Sequence, residues 1–174
     1  MDVSGKDAAI GFFTTEFTEG IGLTGGYLLL NMSGRPLEFH CTLPVRPSRA
    51  HEILYGGKLR PHLIGERIGP ALLDRTRIKP LLICIEDPDA ELICTRVTTP
   101  LVLLLAETVE NQHDVRSSES APFERLRPVA NDEAGAEAVR AALARLIEPL
   151  DLAEPFQRIR EALREAQQSA TRAA

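Results

Sequence analysis

Two apolar runs, Gly26 to Met32 and Pro36 to Leu43, meet at Ser33-Gly34, a dipeptide that supplies the φ > 0 freedom of a tight turn, so a β-hairpin is expected here. With Ser33 and Gly34 as the loop, Met32 opposes Arg35, Leu30 opposes Leu37, Leu28 opposes Phe39 and Tyr27 opposes His40. One face of the hairpin then carries Leu28, Leu30, Leu37, Phe39 and Cys41. The other carries Tyr27, Leu29, Asn31, Glu38, His40 and Thr42, the alternation of a sheet with one face in the core. Chemistry is expected on the mixed face, with Tyr27, Glu38, His40 and Thr42 as its candidates.

Pro44 and Pro47 end the strand, and Pro47 suits the first position of a helix that runs to Tyr55 and closes at Gly56-Gly57. Ala50, Ile53 and Leu54 form its inward stripe, which puts Arg46, Arg49 and Glu52 toward the outside or a groove, with His51 near the boundary. A second helix opens at Pro61 on the ladder Ile64, Ile68 and Leu72. Gly65 and Gly69 leave one of its flanks bare, so another element packs closely there. Pro70 lacks an N–H and crowds the carbonyl of Glu66, which predicts a kink at Gly69-Pro70.

Around this block, Ala9 to Phe17 reads as a strand and Thr18 to Thr24 as a glycine-spaced loop. That loop is no phosphate-cradling P-loop, since it lacks the Gly-Lys-Ser/Thr ending and leads into a strand. Pro80 to Glu86 and Glu91 to Val97 read as a second hairpin, whose three-residue loop would set Cys84 opposite Cys94. Pro100 to Ala106 is a buried strand. The expected organisation is a core domain over 1–106, a polar acidic linker over 107–131 and a helical segment over 132–174. Its helices carry the stripes Ala136, Val139, Leu143, Leu146 and Phe156, Ile159, Leu163. The fold class is α+β: a mostly antiparallel sheet of about six strands, with helices on one side and a C-terminal helical pair. From Ala9 to Ala106 the order of elements resembles profilin-like and roadblock/longin-type domains, which implies a scaffold or regulator. The wording from His40 to Arg75 also resembles uncharacterised bacterial proteins without an assigned activity.

A chain of 174 residues with 5% aromatics, no Trp and a net charge of −5 argues against a base-stacking or counterion-releasing surface, so no nucleic-acid partner is expected. The charge is uneven. Arg35 to Lys79 holds nine basic and four acidic residues, net +5, which leaves −10 for the remainder. Three cysteines are too few for a disulfide framework, no run reaches membrane-spanning length, and Met1 to Ala8 has no secretory pattern. A cytoplasmic protein with no membrane partner is expected.

His40-Cys41-Thr42-Leu43 resembles half of the H-x-T/S-φ signature of two-histidine phosphoesterases, which implies an imidazole acting as acid or base beside a phosphate-binding hydroxyl. No second copy exists, since His51, His62 and His113 lack it. Register sends Cys41 and His40 to opposite faces, so no metal centre and no Cys-His pair is expected, and no cofactor is implied. Asp87 and Asp89 read as turn formers rather than metal ligands. The reading left standing is a non-catalytic interaction or regulatory module. Arg46, Arg49, Lys58, Arg60 and His62 flank two helix starts and would bind a small anionic ligand or an acidic protein partner, with a homodimer as a further option. The alternative is a phosphate-ligand enzyme that uses His40 and Thr42.

Overall fold

The computed structural model describes residues 8–106, 125–144 and 151–172. Six strands make one sheet in the order β3-β2-β1-β4-β5-β6. They are β1 (Ala9–Thr18), β2 (Gly22–Asn31), β3 (Pro36–Cys41), β4 (Leu82–Ile85), β5 (Leu101–Leu104) and β6 (Leu126–Val129). The α+β class and the strand number stand, but the sheet is mixed. β1 and β4 pair in parallel at its centre, as do β4 and β5, while β3-β2-β1 and β5-β6 are antiparallel. The hairpin β2-β3 keeps its register from Tyr27↔His40 to Leu29↔Glu38 and then slips through a bulge that sets Leu30 opposite Pro36. Pro36 has no N–H for a regular rung, which accounts for the break at that end. β6 lies inside the stretch read as linker; the rest of that stretch up to residue 124 lies outside the described residues.

Helices cover both faces, not one. Leaving β3, the chain forms α1 (Arg49–Tyr55), α2 (Leu59–His62), a π-helical stretch over Leu63–Ile68 and α3 (Gly69–Leu73). The π stretch takes the place of the expected kink. Gly69 N–H donates to Ile64 O, five residues back, so the helix widens just before Pro70. Ile64, Ile68 and Leu72 pack on Phe13, Tyr27, Leu29, Ile83 and Ile85. The bare flank is filled as expected: a Cβ on Gly65 would lie 2.5 Å from Leu92 Cβ, and one on Gly69 would lie 2.7 Å from Ile93 Cγ1.

Leu92 and Ile93 belong to a 3₁₀ helix, Pro88–Thr95, which stands where the second hairpin was expected. Asp87 caps it by accepting from Asp89 N–H at 2.9 Å, and Pro88 suits its first turn. Hence Cys84 does not face Cys94. Cys84 is buried on one side of the sheet, while the Cys94 thiol, in the 3₁₀ helix, donates to Asn131 Oδ1 at 3.4 Å. α1 also departs from expectation. None of its residues is buried, and Ile53 and Leu54, read as inward, are 67% and 80% exposed.

The opposite face is closed by α4 (Glu133–Ala144) and α5 (Glu154–Arg172). Val139 and Ala142 from α4, and Phe156, Ile159 and Leu163 from α5, pack on Ile10, Phe12, Leu28, Leu30 and Cys84. Phe156 meets Phe12 edge-on with ring centroids 5.6 Å apart. Leu146 lies outside the described residues. The adjacent glycines of β2 let helices approach from both sides: a Cβ on Gly25 would sit 2.1 Å from Ile68 Cγ2, and one on Gly26 2.3 Å from Ile159 Cγ2. Among the described residues, no helix is long and apolar enough to cross a membrane.

Candidate functional site at the carboxyl edge of β1 and β4

The cations read as a binding set do not converge. Arg46 donates to the carbonyls of Ile21, at 2.6 Å, and Gly20, holding the β1-β2 turn. Arg49 pairs with Glu52 at 2.9 Å on the exposed α1, and Lys58 is exposed nearby. Arg60 bridges Asp87 and Asp89, both at 2.6 Å, and these bonds hold its guanidinium above its ordinary pKa. His62 stacks on Tyr55 at 4.5 Å and faces Glu66 at 3.5 Å. Arg46, Arg60 and His62 are taken up by a turn, a loop clasp and a ring stack, while Arg49 and Lys58 stay on the exposed surface.

His40 and Thr42 are likewise engaged in structure. The Thr42 hydroxyl accepts from Gly25 N–H at 2.9 Å, so it completes the pairing of β3 with β2. His40 Nε2 lies 2.8 Å from Glu38 Oε2, and the Glu38 carboxylate also accepts from Arg77 N–H at 3.2 Å and Ile78 N–H at 2.9 Å. The His40 contact first, then the two backbone donors, hold the Glu38 carboxyl below its ordinary pKa. Tyr27, the remaining candidate, is fully buried, with its hydroxyl unpartnered among the described residues and its pKa pushed up by burial.

A different cluster forms at the centre of the sheet. β1 and β4 are adjacent and parallel, and the chain leaves them to opposite sides, β2-β3 one way and β5-β6 the other. Their carboxyl ends mark the topological switch point at which open sheets with helices on both faces carry ligands. Side chains alternate along β1, so Thr14, Glu16 and Thr18 follow Phe12 on the α5 face, and Glu86 follows Cys84 on that same face. Thr14 Oγ1 donates to Glu86 Oε1 at 2.6 Å, and Arg160 of α5 donates to that same oxygen. One turn on, Arg164 donates to Glu16 Oε1 from Nε at 2.8 Å and Nη2 at 2.7 Å. A turn beyond, Gln167 accepts from Thr18 at 3.2 Å and donates to Thr24 at 3.1 Å.

This edge joins a carboxylate whose Oε2, on Glu86, has no hydrogen-bond partner among the described residues to two guanidiniums with the planar fork that suits phosphoryl oxygens. Glu86 and Arg160 are each about one-third exposed, so solvent reaches the pair. Among the described residues, no three His, Cys, Asp or Glu side chains gather closely enough to ligate a metal ion. Sequence reading missed the edge because its members come from β1, β4 and α5, with 74 residues between Glu86 and Arg160. Thr14, Glu16 and Thr18 alternating after an apolar strand start were the available signal.

No protein-family model and no curated protein matches the chain. Among solved structures, it is similar to the catalytic domain of human endonuclease V, with 11% identity over 97% of this chain and 87% of that one, at a TM-score of 0.45. Another structure of human endonuclease V gives 11% identity over 94% and 86%, at 0.43. A Ciona intestinalis endonuclease V, in complex with a DNA containing an inosine followed by a ribo-adenosine, gives 12% over 59% and 48%, at 0.30. These three structures are of endonucleases. The expectations of a non-catalytic interaction or anion-binding module and of no nucleic-acid partner stand against what these structures are, endonucleases, one of them in complex with DNA. Net charge and aromatic content, on which the expectation of no nucleic-acid partner rested, are averages over the chain and say little about one local edge.

Proposed function

We propose that the chain hydrolyses phosphodiester linkages of nucleic acid at the carboxyl edge of β1 and β4. The observation that carries this reading is the division of labour on Glu86: Thr14 and Arg160 both bind Oε1, leaving Oε2 to accept a proton. Arg160 and Arg164 would turn their remaining N–H groups to the non-bridging oxygens of the phosphate. Donors already fixed by the sheet and α5 stabilise the charge that gathers on those oxygens as the reaction proceeds. A water held at Glu86 Oε2 gives up its proton to the carboxylate as its oxygen bonds to phosphorus. The bond to the leaving ribose oxygen breaks, and that oxygen takes a proton from solvent. A cytoplasmic location suits Cys41, Cys84 and Cys94, which are unbridged thiols.

The test incubates the wild-type chain and Glu86→Gln with end-labelled DNA and RNA oligonucleotides. Cleavage by the wild type, reduced by on the order of a hundredfold or more in the variant with binding retained, is the expected result. Absence of cleavage, or cleavage indifferent to Glu86, would overturn the proposal.

A further inference from the structure

Glu86 is bonded from one side of the sheet by Thr14 and Arg160, and the residue that follows it is bonded from the other. β4 ends at Ile85, but the backbone stays extended through Asp87, whose φ of −109° and ψ of 120° carry the alternation of the strand past its last rung. Glu86 therefore turns to the α5 layer, and Asp87 to the layer of α2, the π stretch and α3. Each acid meets a guanidinium there: Glu86 that of Arg160, and Asp87 that of Arg60 on α2.

Arg60 does more than pair with Asp87. Its Nη2 donates to Asp87 Oδ2 and its Nη1 to Asp89 Oδ2, both at 2.6 Å, so one planar group spans the turn that starts the 3₁₀ helix. Asp87 Oδ1 accepts from Asp89 N–H at 2.9 Å, and the Asp87 carbonyl accepts from Ala90 N–H at 2.9 Å. Both carboxylate oxygens and the carbonyl of Asp87 are thus engaged, which leaves the peptide between Glu86 and Asp87 little freedom to rotate. Strand pairing stops at Ile85, opposite Phe13 and Leu103, and apolar packing resumes only at the buried Ala90. Between these two points, the clasp and the cap hold the main chain.

We infer that Arg60 is a positioning residue for Glu86. Acting through Asp87, it fixes the main chain on which the Glu86 carboxylate is carried, so that the two helical layers grip consecutive acids from opposite faces of the sheet. The inference rests on the hydrolase reading for its effect on rate, and on geometry alone for its effect on Glu86. A displacement of about 1 Å at a reacting group can cost on the order of a hundredfold in rate, so a clasp one residue away is enough to matter.

The test compares the wild type with Arg60→Gln, Asp87→Asn and the double variant. In carbon-13 NMR at neutral pH, the side-chain carboxyl resonance of Glu86 should move in Arg60→Gln. Amide exchange at Asp89 and Ala90 should speed up, while the amides of β5 stay as protected as in the wild type. Asp87→Asn should give the same changes, and the double variant should add nothing to them, because the two residues act as one unit. On end-labelled oligonucleotides, kcat should fall by on the order of tenfold or more with KM unchanged. Arg60→Lys keeps the charge but cannot span both acids, so its rate should fall between wild type and Arg60→Gln. An unmoved Glu86 resonance in Arg60→Gln, or losses in the two single variants that add in full, would overturn the inference. The two readings part cleanly. A wild type that cleaves nothing, with the Glu86 resonance shifted in Arg60→Gln, removes the hydrolase and keeps the clasp on Glu86. Glu86-dependent cleavage at an unchanged rate in Arg60→Gln keeps the hydrolase and removes the positioning role.

Discussion

Arg160 on α5 and Glu86 beyond the end of β4 are bonded across 74 residues of sequence, and through Thr14 the same carboxylate reaches β1. One acid therefore ties the last helix to the two central parallel strands. The pair is partly exposed, so solvent and salt screen it and its net contribution is modest. Arg160→Met should lower stability by on the order of 1 kcal/mol, because Glu86 keeps the Thr14 hydroxyl but loses its counter-ion. Urea unfolding of the two single variants and of Arg160→Met with Glu86→Gln closes a double-mutant cycle. A coupling indistinguishable from zero would mean that the Arg160–Glu86 pair adds nothing to the hold of α5 on the sheet.

The glycine pair of β2 makes a sharper stability prediction. Gly25→Ala drives a methyl into Ile68, 2.1 Å away, and Gly26→Ala drives one into Ile159, 2.3 Å away. Each should cost roughly 1–3 kcal/mol in denaturant unfolding, from overpacking on opposite faces of one strand. Gly57→Ala is the control. No heavy atom lies within 4 Å of its Cβ, so stability should be unchanged or slightly raised.

The fate of α1 tests a departure from the sequence pattern. Ala50, Ile53 and Leu54 have the spacing of an inward stripe, but α1 is seven residues long and buries none of them. Replacing Ile53 and Leu54 together by Gln should shift the melting temperature by no more than a surface change would, within about 0.5 kcal/mol. A loss of several kcal/mol would mean that these side chains are covered in the folded chain.

These residues also show which parts of the fold local sequence could reveal. The register Tyr27↔His40 and the stripe Phe156, Ile159, Leu163 depend on neighbours within a few positions, and the structure keeps both, whereas the turn widens to Met32, Ser33 and Gly34, with Asn31 N–H donating to Arg35 O at 3.0 Å. What failed to show was long-range. Glu91 to Val97 alternates well enough for a strand, and only the Asp87 cap and the close approach of Gly65 to Leu92 select a 3₁₀ helix. The parallel pairing of β1 with β4 leaves no local trace, because parallel strands are joined through distant crossovers. The carboxyl edge depends on that pairing. Once β1 and β4 are set side by side, Thr14 and Glu86 fall into register, and the chemistry at Glu86 follows from the sheet rather than from any motif.

Thiol chemistry should separate the three cysteines. Cys41 is exposed on the edge strand, Cys94 is half-buried, and Cys84 lies in the core, where burial pushes its thiol pKa up. Thiolate is the reacting form, so a buried and protonated Cys84 is doubly protected. An aromatic disulfide reagent at neutral pH should modify Cys41 first and Cys84 only on unfolding. Cys94 should lag behind Cys41, because burial and then Glu91 raise its pKa. Mass spectrometry of peptides after a short pulse checks the order, and early labelling of Cys84 would contradict its place beneath α5.

Glu38 gives the fold a dependence on acid with a definite sign. Its carboxyl is held below the ordinary value by His40 first and by the N–H groups of Arg77 and Ile78. A carboxyl whose folded pKa lies below its unfolded one, about 4.3, contributes stability that is fully present above that value. The contribution is lost as pH falls through the folded pKa, since the native state then takes up the proton it had excluded. Glu38→Gln keeps the size of the side chain and removes the charge. The variant should therefore melt below the wild type at pH 7, and the gap should narrow progressively below about pH 4.3. Because the loop over Arg77 and Ile78 leads into β4, loss of the Glu38 bonds should also speed amide exchange at those two residues. Parallel melting curves for the two proteins across the whole acid range would show that the loop is held by Ile78 packing and not by the carboxylate.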